Sequence, residues 1–391
     1  MLDAIAMDQL KQTLRKGIDN NEVAGANLMA ILDGRELFYH EDGWADREAG
    51  RPISRDTIFR LYSMTKPITA TAIMILMERG IVDLFDPVGR FLPGFKNQLV
   101  EENGKLVPAV REVHLHDLLS MTSGLVYGGD NLAGKGTEAL LQELDRRLLG
   151  ESPMGTLEAM NRLGECPLAF QPGSSWQYGT SADVLGAVVE AATGMRFGEF
   201  LRQEIFEPLG MRDTGFWVPD SKQARLAKAY EDNGQGGLAP YTGNRLAIVN
   251  RLDRDPAFES GGAGLTSTIE DAARFTTMLL KEGTLDGARI LRPRTVRYLT
   301  SANLTAWQQN AFASWHTFRG HSYGNQMRVM TDSRQAGILG SEGEYGWDGW
   351  LGCYFCNSPK DGLTFLFMVQ KKDAGTMPLT RKLRNIVFSA L

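Results

Sequence analysis

The run Ser63-Met64-Thr65-Lys66 places a hydroxyl and an amine three residues apart at the expected start of a helix, so both face the same side. A serine becomes a useful nucleophile when a neighbouring base can take its proton, and a neutral lysine amine can do so. Lys66 is the only lysine in the chain with a serine three positions before it. The flanks, Ile58-Phe59-Arg60-Leu61-Tyr62 and Pro67 through Met77, are nearly free of charge. Burial there disfavours the ammonium form and lowers the lysine pKa. Ser63 could equally serve as a helix N-cap, and the pair alone does not choose between the two roles. Pro67 disfavours the helical region for the residue before it, which leaves the helix start open.

The rest of the chain must position this pair. Its 391 residues suit two packed substructures around more than one core, and 43% hydrophobic with 23% charged residues is a globular composition. A net charge of -5 without a basic stripe gives no reason to expect a nucleic-acid partner, and no apolar run has the length of a membrane span. The first ten residues lack the basic and apolar segments of a secretory signal, so a cytoplasmic location is expected. Three cysteines, an odd number, agree with a reducing compartment. Cys353 and Cys356 have the spacing of a metal or redox pair but would face opposite sides of an expected strand. His114 and His116 lack further ligands nearby in sequence. No metal or organic cofactor is implied.

A stripe of Met7, Leu10, Leu14 and Ile18 predicts a first helix. The runs Ala26 to Leu32 and Glu36 to His40, joined through Asp33-Gly34, predict a hairpin. A helix is expected from Ser181 or Ala182 to the Gly194 stop, and another after the capping pattern Thr268-Ile269-Glu270-Asp271. Strands Trp350 to Cys356 and Leu363 to Gln370, then a helix from about Pro378, would end the chain. The expected organisation is one catalytic unit, with residues 1–88 and 261–391 forming an α/β subdomain around a mainly helical one at 89–260. Residues 220–260 read as a long loop region, a length that tends to carry function.

Helix, hairpin, Ser-x-x-Lys, helical insert and returning sheet together resemble the penicillin-recognising serine enzymes, the β-lactamases and D-alanyl-D-alanine peptidases. Within them the sequence is most similar to class C β-lactamases and family VIII carboxylesterases. Three further stretches fall in the expected order: Leu118 to Leu125, Phe170 to Tyr178, and Pro208 to Thr214. The resemblance implies an α/β fold of the β-lactamase/transpeptidase type, an antiparallel sheet flanked by helices with a mainly helical subdomain.

It also implies roles. Tyr178, after Pro172-Gly173-Ser174-Ser175-Trp176, fills the place of the family's second catalytic element, where a nearby ammonium would lower the phenol pKa. Thr180 stands where β-lactamases usually carry an asparagine, which puts lactam hydrolysis in doubt. The third element, a Lys-Thr-Gly in lactamases, is replaced by Trp347-Asp348-Gly349, so anionic substrates are expected to be disfavoured. Backbone N–H groups of Ser63 and Trp350 would form the oxyanion hole, and residues Trp347, Asp348, Gly349 and Trp350 would border the substrate. The expected activity is hydrolysis of neutral short-chain carboxylic esters through an acyl-Ser63 intermediate. Acyl transfer, weak β-lactamase or peptidase action, and a non-catalytic binding module are the alternatives. A small-molecule ester is the only partner implied, and monomer and homo-oligomer stay equally open.

Overall fold

The computed structural model describes residues 3–391. Its centre is an eight-stranded antiparallel sheet built from the two ends of the chain. Gly25–Leu32, Arg35–Asp46 and Arg51–Pro52 supply one edge, and His321–Tyr323, Arg328–Met330, Tyr345–Asp348, Tyr354–Ser358 and Leu363–Val369 supply the other. The halves meet where Gly25–Leu32 pairs with Leu363–Val369, with Leu28 opposite Phe367. Asp33 and Gly34, both at positive φ, close the first hairpin, the backbone a two-residue turn demands.

Both faces of the sheet are covered. On one side the helices Ala4–Asp19 and Pro378–Ser389 pack through Leu10, Leu14, Leu379 and Leu383. On the other lie the helices Lys66–Glu78 and Ile269–Leu280. Leu363–Val369 is therefore buried at every residue and reads as apolar sequence broken only by Thr364, without the alternation of a half-exposed strand. Most of the remaining α-helices, including Ser181–Thr193, fall between residues 115 and 223, and three more, Pro293–Leu299, Ala306–Ala313 and Ser333–Ala336, lie in the C-terminal part. The short hairpin Leu99–Glu102 with Lys105–Pro108 lies just ahead of the 115–223 stretch, and Ala229–Asp232 pairs with Leu238–Tyr241 beyond it.

Two expectations need correction, and one open point is settled. Residues 220–260 carry a helical turn, Asp220–Gln223, and the second of those hairpins, so the segment is structured. The strand expected to begin at Trp350 begins at Tyr354. Residues 349–353 instead form a tight turn in which Gly352, at φ 92, donates to the Gly349 carbonyl at 2.8 Å. The α-helix after Ser63 starts at Lys66, behind a single 3-10 turn, Tyr62–Thr65. Pro67 then sits in the first turn, where its missing N–H costs nothing. Among the described residues no helix is long and apolar enough to cross a membrane, and no group of His, Cys, Asp and Glu is arranged to hold a metal.

Candidate active site

The nucleophile candidate lies in a sequence that the fold otherwise hides. From Thr57 to Leu76 every residue except Ser63 is buried, so its hydroxyl is the one side chain of that run open to a substrate. Ser63 makes no capping bond. Its Oγ instead accepts from Lys66 Nζ at 3.1 Å, the contact that the three-residue spacing anticipates. Tyr62, just before it, is held at φ 45 with its ring almost wholly buried. A bulky residue in the left-handed region is strained, and packing must impose it.

Lys66 is fully buried. Its Nζ also reaches Tyr127 Oη at 3.1 Å and the Gly262 carbonyl at 2.8 Å. Burial pulls its pKa down to about 7, against a smaller upward pull from Asp183 and Asp348. The amine is thus poised to be neutral near neutral pH, as the apolar flanks lead one to expect. Asp183 lies on the helix Ser181–Thr193 and accepts from Ser260 Oγ at 2.5 Å and Gly262 N at 3.0 Å. It fixes the 260–262 backbone whose carbonyl holds Lys66, and its own pKa is raised by burial.

Tyr178 joins the pair. Its ring lies 4.7 Å from Lys66 Nζ, and its Oη accepts from Trp347 Nε1 at 3.1 Å. Its pKa departs from expectation: burial outweighs the hydrogen bonds from Ser63 and Trp347 and pushes the phenol upward. The enclosure responsible is an aromatic wall from distant parts of the chain, with Trp315, Trp347 and Tyr127 each 5.6 to 5.8 Å from Tyr178 by ring centroid. Tyr127 is a site residue that the sequence reading passed over. It lies two residues after the Leu118–Leu125 block, and nothing in its local sequence sets it apart from a packed tyrosine.

The third element sits on the strand Tyr345–Asp348 and the turn after it. Trp347 is 2% exposed, so its polar atom serves Tyr178 and its ring serves the core. Asp348 accepts from Thr376 Oγ1, and the buried guanidinium of Arg328 feels its charge. Gly349 lies against the backbone leading to the nucleophile: a Cβ there would meet the Leu61 carbonyl oxygen at 2.1 Å. Only glycine allows that approach. No protein acceptor takes the Trp350 N–H among the described residues. The Ser63 N–H falls in the first turn of its 3-10 segment, where no preceding carbonyl is in register. Thr180, in the place of the lactamase asparagine, is buried and directs its hydroxyl to the Val126 carbonyl at 3.5 Å. Two cavities, of about 500 and 290 Å³, flank residues 196–222 and 247–258 and are lined by neither Ser63, Lys66 nor Tyr178.

Residues 10–387 match the Beta-lactamase family. The chain belongs to that family. Among its relatives, Esterase EstB of Burkholderia gladioli is 32% identical, the match covering 99% of this chain and 97% of that protein. Monacolin J acid methylbutanoyltransferase of Aspergillus terreus is 30% identical over 73% of this chain and 68% of that one. Among solved structures, EstCE1, described as a hydrolase with promiscuous acyltransferase activity, superposes with a TM-score of 0.83 at 25% identity, covering 98% of both chains. Unliganded simvastatin synthase, LovD, of Aspergillus terreus has a TM-score of 0.81 at 25% identity, covering 99% of this chain and 98% of that one. The β-lactamase and penicillin-binding-protein fold expected from the motifs is the fold observed, and the chain is a member of a serine hydrolase family with esterase and acyltransferase relatives.

Proposed function

We propose that this protein is a carboxylesterase of the family VIII type that cleaves neutral short-chain esters through an acyl-Ser63 intermediate. The observation that carries the reading is the contact of Ser63 Oγ with a lysine whose pKa burial has brought to about 7. Neutral Lys66 takes the Ser63 proton as Oγ bonds to the ester carbonyl carbon. The oxyanion that forms is held by the backbone N–H groups of Ser63 and Trp350. On collapse the carbon–oxygen bond to the leaving alcohol breaks, and the proton passes from Lys66 to that alcohol through the Tyr178 hydroxyl. Water then attacks the acyl-serine while the same groups run in reverse, releasing the acid and restoring Ser63. Tyr178 acts here as a protonated relay, because its raised pKa keeps the phenol neutral.

Trp347 in place of a lysine, and a Thr180 hydroxyl turned to backbone, support esters over lactams. The EstB relationship supports hydrolysis, while the transferase relatives favour a second reading, in which an alcohol intercepts the acyl-enzyme. Product analysis with p-nitrophenyl butyrate and added methanol separates them. Butyric acid as the main product at low methanol supports hydrolysis, and predominance of methyl butyrate under those conditions would overturn it in favour of transfer.

A further inference from the structure

The residue beside the nucleophile begins a stack that leads outward to a cation. The Tyr62 ring packs edge-on against Trp350 at 5.0 Å, and the Arg245 guanidinium lies over the Trp350 ring at 4.4 Å. Tyr241 closes the far edge of Trp350 at 5.4 Å. Arg245 is exposed, and no carboxylate stands within 4 Å of it among the described residues. Its charge nonetheless reaches inward, opposing the rise in pKa of both Tyr62 and Tyr127, the phenols flanking Ser63 and Lys66.

The backbone holding Arg245 is built against local preference. Arg245 and Ile248 exchange backbone hydrogen bonds at 3.3 and 3.0 Å, and between them Leu246 and Ala247 both adopt positive φ, 54 and 58. Such a turn favours Asn-Gly, and Leu-Ala is a poor choice for it. Tertiary contacts impose it. Ala247 N donates to Asp145 Oδ1 at 3.1 Å and Asn250 N to Asn244 Oδ1 at 3.0 Å. The Asn250 carbonyl is gripped by buried Arg60, on the strand leading to Ser63. A strained turn tied to the nucleophile segment, ending in an unpaired arginine on the tryptophan of the candidate oxyanion turn, marks a functional position.

The two sides of the site differ in character. Tyr178, the proton relay, stands in the aromatic wall of Trp315 and Trp347, and a leaving-group oxygen must face it. With the leaving group assigned to that side, the opposite side, toward Trp350 and Arg245, is left for the acyl chain. Resting on the ester-hydrolase reading above, we propose that Arg245 selects acyl groups carrying a distal carboxylate, so that half-esters of dicarboxylic acids are preferred substrates. Replacement of the lactamase lysine was expected to disfavour anions; the cation returns here from a different element.

The test compares mono-p-nitrophenyl glutarate with p-nitrophenyl pentanoate, a pair matched in length and differing in charge, in the parent, Arg245→Gln and Arg245→Glu. The readout is the ratio of kcat/KM for the two esters within one enzyme, which cancels any general loss of activity or folding. Arg245→Gln should lower the anionic-to-neutral ratio by about tenfold, and Arg245→Glu should lower it further. High salt should compress the ratio in the parent alone. A ratio unmoved in both variants, with Ser63-dependent turnover of the pentanoate intact, would overturn the role of Arg245 and leave the esterase reading standing. Absence of Ser63-dependent turnover of either ester would remove that reading and the inference with it. A second pair, phenyl acetate and 3-acetoxybenzoate, moves the carboxylate to the leaving group. A stronger response there than in the glutarate pair would contradict the assignment of sides.

Discussion

Replacing Lys66 with methionine should stabilise the fold while abolishing turnover, and the gain should depend on pH in a defined direction. Lys66 titrates near 10.5 in an unfolded chain and at about 7 in the folded one. Below about pH 7 the ammonium is present in both states and the fold bears the whole cost of burying it. Above that the folded amine is neutral while the unfolded one is still charged, so the unfolded state binds more protons and stability rises with pH. At about 1.4 kcal/mol per pKa unit, the cost is about 5 kcal/mol near pH 6 and about 2 kcal/mol near pH 9. Lys66→Met also forfeits the bonds to Ser63, Tyr127 and the Gly262 carbonyl, but that loss is the same at both pH values. Urea unfolding of both proteins near pH 6 and pH 9 should therefore show the variant's advantage shrinking by about 3 kcal/mol across that interval. An advantage that is constant, or that grows with pH, would refute the claim that Lys66 is a buried, readily neutralised base.

Other expectations follow from single contacts. Tyr178→Phe removes one oxygen and its bond from Trp347, and should slow acylation by about 10²- to 10⁴-fold with an unchanged circular dichroism spectrum, as measured by single-turnover release of p-nitrophenol. Gly349→Ala drives a Cβ into the Leu61 carbonyl, and should lower kcat by about 10²-fold or more while leaving KM for a small ester little changed. Ala247→Gly relieves a left-handed alanine and should raise unfolding free energy by about 1 kcal/mol, read by thermal or urea denaturation.

The sequence made the reacting pair visible because Ser63 and Lys66 are neighbours on one turn, and local spacing alone sets their contact. The first hairpin and the helices at 181–193 and 269–280 were legible for the same reason, through Asp33-Gly34, Gly194 and the Thr268 cap, each a short-range signal. What escaped was assembled across the chain. The Tyr178 phenol was expected to fall in pKa beside an ammonium. It rises because Trp315, Trp347 and Tyr127 converge from separate segments to exclude water, and the lysine is itself readily neutralised. Arg245 gave no signal in a polar stretch without periodicity, since its position depends on Asp145, Asn244 and Arg60 holding a turn that Leu246 and Ala247 would not choose. The turn at 349–353 read as strand because Trp350 to Cys356 is apolar throughout. Gly352 was the available clue.

The central claim, that Ser63 becomes acylated, is met most directly by intact-protein mass spectrometry after brief mixing with p-nitrophenyl butyrate. The parent should gain the mass of one butyryl group, removable by hydroxylamine and mapped to the peptide containing Ser63, and Ser63→Ala should gain none. An adduct of the same size and lifetime on Ser63→Ala, or turnover there at the parent rate, would contradict the account.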